Sequence, residues 1–399
     1  TDSSTTHSLI DSRIAPIGIH DMEAVECADP SKCSAEETII LTLGILRCVP
    51  REALFEFHEG RKSCNEKGVF DVVDDELCSL ELYDKLAVPA DNVFIFVSHS
   101  WSVPESWPSR DLNATYEDVK LEQLYSSSQD LLRDISISGG RARARASSAS
   151  ASASTAVKNI HLWLDKACSP QWGAALAAVK KFDFFFMQYI ALSENMLVLA
   201  TPVYFTRLWC VFEMASFLSL HPPDKLYIGI DSFLNDRDMV MDHGVSAEEA
   251  TIYRIEAYLE SITKLCVQDL ICVNESDREI LLKLIYQNFG ECARFENFAK
   301  SCALAIIAHN MSINVEFMTN NQDEDPNHKL RDVYLHAFNA VKECSNRVNT
   351  ELFDCLGKLE QGEFLDTVDG ESPAMRSFQE HVAPFMNDMR NKTLVTGNP

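Results

Sequence analysis

The chain has 399 residues, 46% of them hydrophobic, which is enough for more than one average core and excludes wholesale disorder. With 35 Lys and Arg against 60 Asp and Glu, its formal net charge of −25 repels phosphate backbones and anionic bilayers, so nucleic acid is excluded as the expected partner. The 13 cysteines are odd in number and include no C-x-x-C pair, so they read as reduced thiols of a cytoplasmic protein, not as a disulfide framework or a metal centre.

Residues 1–34 are rich in Ser, Thr and Asp and read as a flexible leader. Residues 35–89 read as a helical N-terminal extension. Ser34 with Glu37 three positions on makes a capping-box pattern, and the apolar run to Leu46 suits a helix. The run Val93-Phe-Ile-Phe-Val97 is continuous, β-branched and aromatic, which predicts a strand buried on both faces and ended by Ser98-His99-Ser100. A helix is expected around Tyr116 to Leu132.

Residues 139–156 alternate Ala, Ser and Arg without a large apolar side chain, so they cannot offset the entropy of ordering by burial. The tract holds the one arginine cluster, Arg141, Arg143 and Arg145. It lies between two strand signals, which makes it an insertion within a domain spanning 90–275, not a boundary. Asn159 to Leu164 is the second predicted strand, Trp172 to Leu192 a helix with an Ala-rich start, and Met196 to Ala200 the third strand, stopped by Thr201-Pro202. Tyr204 to Leu220 reads as one helix ending before Pro222-Pro223, Lys225 to Ile230 as the fourth strand, and Ser246 as the cap of a helix to Lys264. Asp269 to Val273 is the expected fifth strand.

Beyond it, residues 276–399 carry helical patterns only: Asp277 to Phe289, Cys292 to His309, Leu330 to Leu356 and Ser377 to Met389. No apolar run reaches membrane-spanning length; the richest, Phe182 to Ile190, is broken by Asp183 and Gln188. The alternation of strand and helix predicts an α/β fold: a parallel five-stranded sheet with helices on both faces, plus helical N- and C-terminal additions.

Three short motifs stand in order along this domain: Ser98-His-Ser-Trp101, Trp163-Leu-Asp165, and Tyr204-Phe-Thr-Arg-Leu-Trp-Cys-Val-Phe-Glu-Met214. The third resembles the Y-x-x-S-x-W-C-x-x-E-L signature of Toll/interleukin-1 receptor (TIR) domains, and the set resembles a divergent protist-type group of TIR-like proteins. Thr206 stands where that signature has serine, and Lys166-Ala-Cys-Ser-Pro170 replaces the family's glycine-containing loop. The resemblance implies a flavodoxin-like sheet and a signalling role. Many such domains act as assembly modules, meeting other proteins or copies of themselves; a subset hydrolyses NAD at the bond between nicotinamide and ribose. For that subset the resemblance implies Glu213 as the essential carboxylate, NAD as substrate and no prosthetic group. Ser98, His99, Ser100, Trp101, Asp165, Tyr204, Arg207 and Trp209 would then line the nucleotide site.

A physical reading stands beside the resemblance. In an open parallel sheet, ligands sit outside the carboxyl ends of the strands, where the loops after Val97, Leu164 and Ala200 end. A carboxylate there can stabilise an oxocarbenium-like ribose, and the start of the Tyr204 helix can favour a phosphate. Taken singly, each residue also has a plainer explanation. Trp209 packs a helix on a sheet, Glu213 is a solvated carboxylate, Cys210 a buried thiol, His99 a hydrogen-bonded loop residue, Arg207 an ion-pair partner and Asp165 a helix cap. Two functions therefore compete: an NAD-consuming enzyme using Glu213, and a scaffold using the same fold for protein contacts.

Overall fold

The computed structural model describes residues 47–64, 88–89, 94–100, 120–129, 131, 160–168, 183–201, 203–229, 247–320, 335–348, 376 and 378–385. The leader, the Ser34 capping box, Trp101, the insertion at 139–156 and the Ser246 cap lie outside them. The fold is α/β with a mostly parallel sheet. Its strands are β1 (Arg47–Pro50), β2 (Val88–Pro89), β3 (Phe94–His99), β4 (His161–Trp163), β5 (Asn195–Leu199) and β6 (Leu226–Gly229), in the order β2-β1-β4-β3-β5-β6. The helices are α1 (Arg51–Ser63), α2 (Asp165–Cys168), α3 (Asp183–Leu192), α4 (Leu208–Leu218), α5 (Ala247–Thr263), α6 (Glu275–Phe289) and α7 (Cys292–Asn320). Further helical residues occur at 120–129 and 335–348.

Five strands have three or more residues, and β2 adds a two-residue edge. The fifth of them is not the expected one. Asp269 to Val273 forms no strand; Ile271 alone bridges to Arg207. Its partners are those of a turn: the Asp269 and Leu270 N–H groups donate back to the Cys266 carbonyl, Arg278 donates to the Leu270 carbonyl, and Ile271 and Val273 face solvent. The place is taken by β1, inside the segment expected to be helical. Its Val49 and Pro50 pair antiparallel with Leu162 and His161 of β4, and Cys48 and Val49 are fully buried.

The chain divides into two compact units. The first comprises Thr1–Val97, Asp111–Asp118 and Leu132–Met196; the second comprises Ser98–Arg110, Val119–Leu131 and Leu197–Pro399. In the first, β3 and β4 pair in parallel through Phe94 with His161, Ile95 with Leu162 and Phe96 with Trp163. The Phe96 and Trp163 rings stack at 4.5 Å, and Tyr189 of α3 lies 5.5 Å from the indole. Every described residue from Phe94 to Val97 is buried, as a strand covered on both faces requires. Burial also drives the Cys168 thiol up to about 12 and raises Cys48, so both stay protonated and act as small apolar groups.

In the second unit α7 is the central helix, packed against β6, α4, α5 and α6. Positions Ser301 to Ala308 are all buried, the pattern of a helix enclosed all round. Asn310 of α7 donates to the Ile228 carbonyl of β6 at 3.3 Å. Phe289, Phe295 and Phe298 form one ring cluster, with centroids 5.1 and 5.4 Å from Phe289. The start of α6 is capped by Asn274, whose side chain accepts from the Ser276 N–H at 3.1 Å. Asn274→Ala should cost about 1 kcal/mol in urea unfolding, a cap's usual contribution; an unchanged midpoint would mean that solvent replaces the bond at no cost.

Gly229 ends β6 where the Ser127 side chain comes close. A Cβ there would overlap Ser127 Oγ and lie 2.8 Å from Ser127 Cβ, and Ser127 is itself buried. Gly229→Ala should therefore destabilise by about 1–3 kcal/mol through overpacking. Adding Ser127→Gly should recover most of that loss in a double-mutant cycle, whereas simple additivity of the two changes would show that the clash is not the cause.

Candidate functional site

The carboxyl end of β3 delivers Ser98 and His99 into the second unit, both buried. The segment expected as one helix from Tyr204 to Leu220 is two pieces. A 3-10 turn covers Tyr204–Thr206, the chain extends at Arg207 (φ −106°, ψ 123°), and α4 starts at Leu208. The break comes from the Ile271 bridge: the Ile271 N–H donates to the Thr206 carbonyl at 2.7 Å, and the Leu208 N–H donates to the Ile271 carbonyl at 3.1 Å. Tyr204 is therefore a turn residue, and α4 begins with one of its first donors already engaged. This corrects the expectation that a helix starting at Tyr204 offers its end to a phosphate.

The turn aims the Tyr204 side chain inward, where it is fully buried. Its hydroxyl donates to the Cys210 carbonyl at 2.9 Å and lies 2.7 Å from Ser98 Oγ. Ser98 Oγ is in turn hydrogen-bonded to Glu213 Oε2. Three side chains from β3, the turn and α4 thus form one connected group: Glu213, Ser98 and Tyr204. Glu213 is half-buried, while Phe212 and Met214 on either side of it are fully buried, so α4 holds the carboxyl at the margin of the core. Burial pushes the Tyr204 phenol well above its ordinary range, and the neighbouring Cys210 and Glu213 add to this; the Ser98 bond opposes it. Tyr204 accordingly stays neutral and keeps its donor proton.

The other expected residues separate into groups. Trp209, half-buried, donates its indole N–H to Asp277 Oδ2 of α6 at 3.3 Å and meets Phe212 edge-on at 6.5 Å. Its polar end is thus directed to α6, and Glu213 to the end of β3. Cys210 directs its thiol at the His99 carbonyl, 3.5 Å away, in a buried setting that suits a structural thiol. Arg207 caps nothing with its side chain and stands near enough to Cys272 to oppose the rise in that thiol's pKa caused mainly by burial. The Ser100 carbonyl accepts from the Lys120 ammonium. Asp165 opens α2 in the first unit.

Several residues missed in the sequence hold the chain just after β3, β5 and β6. Lys120, Gln123 and Ser127 fall at helical spacing on the 120–129 segment, and all three are buried. Gln123 donates to the carbonyls of Ala200 and Gly229, and Tyr258 of α5 donates to Ala200 at 2.6 Å. These bonds close the carboxyl ends of β5 and β6 with protein groups. The polar spacing of Lys120, Gln123 and Ser127 was the available signal. No cluster of three or more His, Cys, Asp or Glu side chains suited to a metal occurs among the described residues, and none of their helices is long and apolar enough to cross a membrane.

Comparison of the chain with protein-family models, with curated proteins and with solved structures gave no match in any of the three.

Proposed function

We propose that the chain carries a TIR-like signalling domain that hydrolyses NAD to nicotinamide and ADP-ribose, with Glu213 as its catalytic carboxylate. The observation that supports this most is the seating of Glu213: its carboxyl is fixed by Ser98 at the carboxyl end of β3, where an open α/β sheet offers a ligand its site. Ser98, Tyr204 and Glu213 come from three separate elements and meet within the second unit.

In the reaction the bond between nicotinamide nitrogen and the ribose anomeric carbon breaks, and nicotinamide leaves as a neutral ring with the electron pair. Positive charge then develops on the ribose as an oxocarbenium ion. A carboxylate at the edge of the core opposes that charge better than water does, because the surrounding apolar groups weaken screening. Water adds to the anomeric carbon and releases its proton, giving ADP-ribose. No prosthetic group is required. On this reading the domain works in the cytoplasm, signals through other proteins or further copies of itself, and keeps its thiols reduced; no disulfide joins the described cysteines.

Purified protein incubated with NAD should release nicotinamide and ADP-ribose in equal amounts, and Glu213→Ala should abolish the release. Equal and negligible release from both proteins, in an assembled state, would leave the protein-interaction reading in its place.

A further inference from the structure

The helical segment 120–129 turns a polar face to the core. Lys120, Gln123 and Ser127 recur at i, i+3 and i+7, and all three are buried. Two of them have structural roles that account for them. Gln123 donates to the carbonyls of Ala200 and Gly229, where β5 and β6 end, and Ser127 is the small side chain against which Gly229 packs. Lys120 differs in carrying a charge. Its ammonium donates to the Ser100 carbonyl, just past the end of β3. A buried lysine is rare, because desolvating the charge costs free energy that a methionine of similar length would not. Departures of this kind concentrate at functional sites.

We infer that Lys120 is a positioning residue for the proposed NAD hydrolysis: by holding the Ser100 carbonyl it sets where Ser98 stands, and through Ser98 where Glu213 places its carboxyl. The inference rests on the proposed role of Glu213 for its functional consequence, and on the hydrogen bonds alone for the placing of Ser98. Ser98 lies two residues before Ser100, and the peptide units between them are planar and stiff, so a displaced Ser100 carries Ser98 with it. Ser98 Oγ is bonded to Glu213 Oε2 and lies 2.7 Å from Tyr204 Oη. Lys120, Ser100, Ser98, Tyr204 and Glu213 all belong to the second unit. Lys120 touches none of the reacting atoms in this scheme. It acts by fixing the backbone that carries the serine, and a small misplacement of a reacting group is enough to slow a reaction severely.

The full chain, labelled with the NMR-active carbon isotope at the phenolic carbon of its tyrosines, gives the test without NAD. The resonance lost in Tyr204→Phe is that of Tyr204, and the contact of its hydroxyl with Ser98 makes its shift a report on that serine. Lys120→Met, which keeps the length of the side chain and removes the donor, should move that resonance. Phe338→Leu, a core change on the 335–348 helix, should lower stability and leave the resonance in place. If NAD is cleaved, Lys120→Met should lower kcat by about tenfold with KM unchanged, the pattern of a misplaced carboxyl. A Tyr204 resonance that Lys120→Met leaves in place would overturn the inference, as would an equal shift from Phe338→Leu or an unchanged kcat. If Lys120→Met does not fold, Lys120→Gln, polar but shorter, carries the same comparison. A moved resonance in a chain that does not cleave NAD would uphold the placing of Ser98 and reject the catalytic reading, so the two can fail separately.

Discussion

Glu213→Gln should lower nicotinamide release by about 10²–10³-fold, some 3–4 kcal/mol of transition-state stabilisation, the usual loss when one preorganised electrostatic group is removed. The amide keeps the size of the side chain, and its oxygen can still accept from Ser98, so folding is expected to survive. What it lacks is a negative charge to set against the oxocarbenium ion. The loss should therefore appear in kcat, with KM little changed, because the charge develops only in the transition state. Initial rates over a range of NAD concentrations separate the two. A variant that loses affinity while keeping kcat would make Glu213 a binding group for a ribose hydroxyl, not the charge stabiliser.

The second large effect is on stability. Phe212→Ala should destabilise the protein by about 3–5 kcal/mol, a sizeable share of the ~5–15 kcal/mol that holds a typical domain folded. Phe212 is fully buried, and α4 packs against α6 and α7, so the void is enclosed on several sides and cannot collapse freely. Of the 11 residues in α4, nine are buried, which leaves Trp209 and Glu213 as its two half-buried members. The same helix that presents the carboxyl is thus a core element. Urea unfolding followed by circular dichroism gives the cost; a loss below about 1 kcal/mol would show that this face of α4 is not enclosed.

Local patterns carried much of the fold. The unbroken apolar run at Val93 to Val97 became β3 because a strand covered on both sides needs no polar alternation. The Pro222-Pro223 stop and the apolar run after it gave β6 to within a residue. What stayed hidden depends on partners far along the chain. β1 has Arg at one end and Pro at the other, and it becomes a strand because β4, more than a hundred positions away, pairs with it. The break at Arg207 has no Gly or Pro to announce it; the Ile271 bridge imposes it from the far side of α5. The same holds at the site. The W-C-x-x-E spacing drew attention to Glu213, and Ser98 stood in the opening motif. Their hydrogen bond spans 115 positions, and the Tyr204 link spans 106. The pairing of Trp209 with Asp277 was illegible for the same reason: helical spacing places the indole on a face, and only α6 decides what meets it.

The most direct measurement is a proton NMR time course of NAD mixed with the wild-type protein at comparable concentration. The account predicts that the anomeric signal of the nicotinamide riboside disappears while free nicotinamide grows in step. Undiminished NAD over hours, with the protein folded and assembled, would contradict it.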